Sequence, residues 1–184
     1  MNMPYKTPLF ISTLFFGAAL LYLLGGIALA AVYAILWIDK IVLGMLGPIR
    51  YLGVEFTTLA TIILGISYGP LPAFLFSIIV IPLLHSSKYL FLPLPQPEWP
   101  FFIPHPNNIV DAIGALCAGI LWVIGIKELL ILTAIVVIIK DAGYGISEKM
   151  MFGKPVDYFS AAMYLIFNCL LIFQFGPSIA SLAA

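Results

Sequence analysis

Long apolar stretches separated by short polar segments run through the whole chain and predict a bundle of helices. Most of these stretches reach the length of about 20 residues that a helix needs to cross the hydrocarbon core of a bilayer. We predict six helices, at residues 9–37, 53–67, 70–91, 108–125, 128–143 and 158–175. The predicted fold class is therefore all-α, with residues 1–184 forming a single transmembrane domain.

A helical hairpin in residues 52–84 is predicted to be the element around which the other helices pack. Its second helix is almost wholly apolar, whereas its first helix has polar residues near the start: Glu55, Thr57, Thr58 and Thr61. The tripeptide Tyr68-Gly69-Pro70 separates the two helices. Pro70 lacks an N–H group and disfavours a helical residue before it, so one helix should end here and another begin.

The first predicted helix, residues 9–37, is longer than one span requires, so it should tilt or extend beyond the bilayer. It contains Gly26, Ala30 and Ala34 at a spacing of four residues. On a continuous helix this spacing puts three small side chains on one face, where another helix can approach closely. The face could serve internal packing, or it could be the docking face for a separate membrane subunit.

Three polar segments are predicted to connect the helices at one face of the bundle. Residues 38–51 contain Asp39, Lys40 and Arg50 and should form an interfacial loop. Residues 92–107 hold six prolines among several aromatic residues. Such prolines forbid a regular helix, and the aromatic residues are typical of the membrane–water interface. We expect an ordered, proline-rich cap between the third and fourth helices. The third segment is residues 140–157, which begins within the last turn of the fifth predicted helix.

Six spans would place these loops together and leave the opposite face with little polar structure. That opposite face would hold the N-terminus, the turn at Gly69, the Lys127-Glu128 turn and the C-terminus. Six of the eight Lys and Arg residues would lie on the loop-bearing face: Lys40, Arg50, Lys88, Lys140, Lys149 and Lys154. The positive-inside rule would then place this face in the cytoplasm.

Composition excludes a water-soluble domain. Hydrophobic residues make up 63% of the chain, charged residues 9%, and the mean hydropathy is +1.15. Soluble domains average about 45–50% apolar and about 25% charged residues. The chain is thus predicted to be a multi-pass integral protein of the cell membrane. Its net charge of zero gives no reason to expect a nucleic-acid partner. Cys117 and Cys169 fall within predicted spans and should remain free thiols.

Motifs for catalysis or metal binding are absent from the sequence, so we expect no enzyme activity, no catalytic residues, no metal and no cofactor. His85 and His105 have no Cys or carboxylate at metal-ligand spacing. Glu55 and Asp111 could form an intramembrane acid pair, which keeps a small intramembrane enzyme as an alternative. Solvation of both carboxylates at helix ends explains them equally well. Asn168 is expected to make a hydrogen bond between helices.

Polar residues at the start of the fourth helix allow two interpretations. Asn107 and Asn108 suit a helix N-cap, and Asp111 suits the positive end of the helix dipole. The same side chains would face the loop-bearing mouth of the bundle, where they could contact a ligand. Gly114, Ala118 and Gly119, further along the helix, offer a face for close packing.

Two segments resemble a known family. The run GVEFTTLATIILGISYGPLPAFLFSIIV resembles the second and third helices of substrate-binding S components of energy-coupling-factor vitamin transporters, and NIVDAIGALCAG is similar to their fourth helix. The resemblance implies a vitamin-like ligand, a transmembrane coupling subunit that docks on the small-residue face, and a separate ATPase module. In that family the binding mouth faces outward, whereas the Lys and Arg distribution here indicates the reverse.

The leading hypothesis is therefore a non-enzymatic binding subunit for ATP-driven uptake of a small molecule. The candidate ligand contacts lie at the loop-bearing mouth: Glu55, Trp99, His105, Asn107, Asn108 and Asp111. The chain is also similar in span count and turn to the MreD family of rod-shape proteins. That similarity implies the alternative, a membrane scaffold that binds other membrane proteins.

Overall fold

Six α-helices and one short π-helix make up nearly all of the part of the chain that the structure describes. The computed structural model describes residues 6–44, 53–91, 103–153, 155 and 157–183. The helices are α1 (Lys6–Trp37), which continues into the π-helix Ile38–Leu43, α2 (Thr57–Tyr68), α3 (Pro70–Phe91), α4 (Pro106–Val123), α5 (Leu129–Phe152) and α6 (Tyr158–Ala183). No strand occurs among these residues. By length and composition, five helices could cross a membrane when Ile11–Leu43 is counted as one of them, and α2 is shorter.

The helix α1 is not the single long span that the sequence predicts. Gly26 interrupts it with φ 73° and ψ −164°. The Tyr33 hydroxyl donates a hydrogen bond to the Thr13 carbonyl at 3.0 Å, and Trp37 Nε1 donates to Thr13 Oγ1 at 3.2 Å. In a continuous helix, the 20 residues from Thr13 to Tyr33 would span about 30 Å. The chain therefore reverses at Gly26, and residues 6–25 and 27–43 form two antiparallel arms.

This reversal corrects the interpretation of the small residues in α1. Gly26 lies at the turn, so only Ala30 and Ala34 share a helical face, and both are half-buried. A continuous ladder of three small residues does not exist, although a docking role for these positions stays a prediction. The first arm exposes large side chains instead, among them Phe16 and Leu23, which is 81% exposed.

The bundle has two different faces, which we call the loop face and the turn face. At the loop face, the ring of His85 near the end of α3 stacks on His105 before α4, and His105 stacks on Phe152 at the end of α5. At the turn face, the Tyr68 hydroxyl donates to the Gly25 carbonyl at 2.5 Å, which joins the turns at Gly26 and Gly69. The prediction that the N-terminal end lies on the turn face is wrong. Because α1 folds back, this end lies on the loop face.

The break at Tyr68-Gly69-Pro70 is confirmed, and the glycine conformation explains its tightness. Gly69 adopts φ 82°, a region that other residues rarely enter, and α3 begins at the next residue. Close packing around this turn also requires glycine. A Cβ atom on Gly119 would lie 2.5 Å from Pro70 Cα, and one on Gly65 would lie 2.6 Å from the Gly119 nitrogen. The predicted close-packing face of α4 is thus confirmed.

Several helices extend beyond their predicted ends, and two of the extensions contain buried polar residues. Residues 38–43 form a π-helix instead of an interfacial loop, and α5 continues from residue 140 to Phe152. The polar side chains that indicated loops, Asp39, Lys40 and Lys140, are buried among partners. The helix α6 also continues past Gly176 to Ala183, with Pro177 inside it. The rest of the predicted loop 38–51, and residues 92–102 of the predicted cap, lie outside the described residues.

Candidate functional site

A buried lysine in the middle of α5 is the centre of the candidate site. The Lys140 side chain is 0% exposed, and its ammonium lies 3.0 Å from Glu55 Oε1 and 2.9 Å from Asp111 Oδ1. It also donates a hydrogen bond to Thr58 Oγ1 at 2.6 Å. These three acceptors come from the start of α2 and from α4, so one ammonium ion joins three parts of the bundle.

A glycine on α4 makes the room that this lysine occupies. A Cβ atom on Gly114 would lie 2.6 Å from Cδ and 2.8 Å from Cγ of Lys140. These atoms belong to the middle of a buried side chain whose end is held by ion pairs, so they cannot move freely. The small residue at position 114 therefore lets the lysine stem cross the helix interface.

A second ammonium ion, that of Lys40 in the π-helix, continues the cluster. Lys40 Nζ lies 3.1 Å from Asp111 Oδ2 and 3.5 Å from Asp39 Oδ2. Asp39 in turn accepts hydrogen bonds from the Phe56 backbone N–H at 2.7 Å and from the Thr57 hydroxyl at 2.6 Å. These contacts place a carboxylate at the start of α2, where the helix dipole favours negative charge.

Two tyrosine hydroxyls donate further hydrogen bonds to the carboxylates. Tyr164 on α6 donates to Glu55 Oε1 at 2.8 Å, and its hydroxyl also pairs with that of Thr58. Tyr144, one helical turn after Lys140, donates to Asp111 Oδ1. We call the following eight residues the ion network: Asp39, Lys40, Glu55, Thr58, Asp111, Lys140, Tyr144 and Tyr164.

The charged side chains of the ion network are closed to solvent except at one carboxylate. The side chain of Glu55 is 21% exposed, whereas those of Asp39, Lys40, Asp111 and Lys140 are between 0% and 6% exposed. Charges within a membrane-spanning helix cost about 2.5–3.5 kcal/mol each on insertion scales, unless they find partners. Mutual pairing therefore allows these charges to be buried. Glu55 is the one charged side chain of the network that is partly exposed, and it lies toward the loop face.

The structure brings several of the predicted site residues together and separates others. Glu55 and Asp111 do not form an acid pair in water, because Lys140 lies between them and Asp111 is buried. Asn107 is in the first turn of α4, where its Oδ1 accepts a hydrogen bond from Ser147 of α5 at 2.7 Å. Asn108 is buried in the same turn. Trp99 lies outside the described residues.

His105 has a role that was predicted for the asparagines. Its Nδ1 accepts a hydrogen bond from the Asn107 backbone N–H at 3.2 Å, so His105 is the N-cap of α4. Its ring also belongs to a column of stacked rings at the loop face, with centroid distances of 6.4 Å between Tyr89 and His85, 6.0 Å between His85 and His105, and 5.8 Å between His105 and Phe152. The column joins α3, α4 and α5 above the ion network.

Sequence reasoning missed much of the ion network. The sequence pattern places Asp39, Lys40 and Lys140 in predicted connecting segments, and it gives no sign that Tyr144 or Tyr164 belongs to a site. The available signal was Lys140, which directly follows the apolar run 129–139 and continues its helix. Asn168 was also misjudged, since its Nδ2 donates to the Tyr164 carbonyl of its own helix at 2.9 Å instead of bridging helices.

The chemical groups of this site are paired carboxylates and ammonium ions with hydroxyl partners. Among the described residues, no group of three His, Cys, Asp or Glu side chains lies close enough to hold a metal ion. Cys117 and Cys169 are free thiols.

No protein-family model, curated protein or solved structure matches the chain.

Proposed function

We propose that the chain is the membrane-embedded binding subunit of an uptake system for a small polar molecule, powered by a separate ATPase module through a transmembrane coupling subunit. The resemblance of residues 53–80 and 108–119 to energy-coupling-factor S components supports this assignment. So does the apolar character of the five long helices, which suits a multi-pass protein of the cell membrane.

One observation carries the proposal: Glu55 is the solvent-accessible end of an otherwise buried network of charges. Polar and charged groups inside a membrane bundle are costly and commonly mark a substrate or ion pathway. Glu55, just before α2, and Asp111 on α4 are two predicted contacts that meet at the same ammonium ion. A ligand that enters from the loop face would reach Glu55 first.

Binding would proceed by exchange of charge partners. A charged or hydrogen-bonding ligand group at Glu55 competes with Lys140 and Tyr164 for the carboxylate. The released ammonium keeps Asp111 and Thr58 as partners, so no buried charge is left alone. Asn107 and His105, nearer the loop face, would supply neutral contacts to the rest of the ligand.

Native mass spectrometry of the protein, gently extracted from its own membrane, tests this function. We expect a stoichiometric small-molecule adduct that gives the ligand's mass. Substitution of Glu55→Gln should reduce the adduct strongly, because it removes the accessible charge but keeps the shape. The matched control is Glu148→Gln, an acid on α5 that is not part of the ion network. An adduct of equal intensity in both variants would remove Glu55 from the site.

A membrane scaffold like MreD is the second candidate, and a specific observation favours it. Every charge in the ion network already has a partner inside the bundle, as a purely structural network would. An extracted protein with no small-molecule adduct that carries other polypeptides instead would support the scaffold. An intramembrane enzyme has less support, because Lys140 engages both Glu55 and Asp111.

A further inference from the structure

A second candidate site lies on the outer surface of the bundle, between α5 and α6. A groove of about 600 Å³ follows these helices from Val137 and Leu165 at its deep end to Lys149 and Tyr158 at the loop face. It is distinct from the ion network, because Lys140 points into the bundle and the next residue, Asp141, lines the groove. A volume of this size suits a single small ligand, since ligand sites commonly measure about 300–1,000 Å³.

Asp141 is the unusual feature of this groove. Its carboxylate makes no hydrogen bond or ion pair with any other residue that the structure describes. Glu148, two turns further along α5, is also acidic, so it cannot neutralise the charge of Asp141. Asp141 lies 12 residues, about 18 Å, beyond the start of α5. A hydrocarbon layer about 30 Å thick that begins at the start of α5 would therefore enclose it.

We propose that this groove binds an amphiphilic ammonium compound that enters from the lipid. The ammonium group pairs with Asp141, which otherwise faces hydrocarbon as an unpaired charge. The alkyl chain lies along the apolar deep end formed by Val137, Ile138 and Leu165. Ala142 and Ala162, beside the acid, have side chains small enough to leave room for the head group.

The depth and length of the groove favour this occupant over a protein. In a second copy of the chain, the exposed lysines that the structure describes, Lys127 and Lys149, lie beside or near the ends of α5. Neither would be level with Asp141 in a parallel dimer. The groove extends over 13 residues of α5, from Val137 to Lys149, or about 18 Å, which is shorter than the contact that a spanning partner helix would make.

Binding of dodecylamine to the protein in phosphatidylcholine nanodiscs tests the proposal. We expect saturable binding of one equivalent, with dodecanol, which has the same chain and no charge, bound at least about tenfold more weakly. Asp141→Asn should weaken dodecylamine binding by a similar factor. Glu148→Gln, which lies outside the groove lining, should bind dodecylamine as the unsubstituted protein does. This assay measures the groove alone, so its result is independent of the proposed uptake function.

A second variant keeps the test decisive if Asp141→Asn fails to fold. Ala162→Phe retains the acid but fills the groove from α6, and it should abolish saturable binding. The proposal would be overturned by equal affinities for dodecylamine and dodecanol, by unchanged binding in Ala162→Phe, or by the absence of saturable binding. A stoichiometric polypeptide that copurifies with the original protein and is lost in Asp141→Asn would also overturn it, in favour of a partner helix.

Discussion

At the scale of single residues, Lys140 has the greatest influence on the structure. It is the largest fully buried side chain among the described residues, and it joins Glu55, Thr58 and Asp111. Removal of one member of a buried ion pair is far more costly than removal of both, because the remaining charge keeps its desolvation penalty without compensation. The stability of the bundle should therefore depend on charge balance at this point.

Substitution of Lys140→Met should lower the free energy of unfolding by about 3–5 kcal/mol, because it leaves Asp111 and Glu55 without their shared ammonium ion. Combining it with Asp111→Asn should recover part of this loss, since one of the unpaired carboxylates is removed. Denaturant unfolding in detergent micelles measures both variants. Lys149→Met, an exposed lysine on the same helix, is the control. If Lys140→Met proved as stable as this control, the ion network would contribute little to the free energy of unfolding.

At the scale of helices, two glycines decide how the chain folds back. Gly26 and Gly69 both have positive φ, and each joins two helical segments without a loop. The turn at Gly69 precedes a proline, which prevents the helix from continuing. The turn at Gly26 lies within an uninterrupted apolar run, where nothing local prevents a straight helix. Contacts between the two arms, such as that of Thr13 with Trp37, stabilise this second turn.

Chemical cross-linking can check the reversal at Gly26. Cysteines at positions 13 and 37, in a background with Cys117→Ala and Cys169→Ala, should be joined by a short bifunctional thiol reagent. A straight helix would hold these positions about 36 Å apart. As a control, cysteines at positions 130 and 151 of the uninterrupted helix α5 should not be joined, at a separation of about 32 Å. Equal failure of both pairs would contradict the antiparallel arrangement of the arms.

At the scale of the whole molecule, the structure changes how the charge distribution is interpreted. Of the six basic residues that the sequence assigns to one face, Lys40, Lys88 and Lys140 are buried in the bundle. Such buried residues carry little information about the orientation of the protein in the membrane, because the positive-inside rule concerns charges in loops. The conflict between the Lys and Arg distribution and an outward-facing binding mouth is therefore weaker than the sequence indicates.

Orientation can be measured with a cysteine at position 103, which lies on the loop face and is exposed. In cells that produce the protein without its native cysteines, uptake requires that Ile103→Cys react with a membrane-impermeant maleimide from outside. A cysteine at the exposed position 127, on the turn face, should react only after the membrane is opened. The reverse pattern would place the loop face in the cytoplasm and rule out uptake by this chain.

The sequence by itself determined the class of the protein and most of its helices. Hydrophobicity and proline act locally, so residues 70–91 were predicted with the bounds of α3, and the break at Gly69 followed from Pro70. The small residues at 114, 118 and 119 likewise indicated a close helix contact, which depends on side-chain size. These features could be predicted because each follows from a few neighbouring residues.

Only the tertiary structure decided the site and the path of the first helix. Asp39 and Lys140 are charged residues of the kind found in loops, and their burial depends on partners 17 or more positions away in the chain. Such pairing needs the rotation and depth of several helices at once, which a local pattern does not contain. Gly26 is compatible with a helix or a turn, and distant contacts between the arms selected the turn, because they recover the free energy that the broken helix loses.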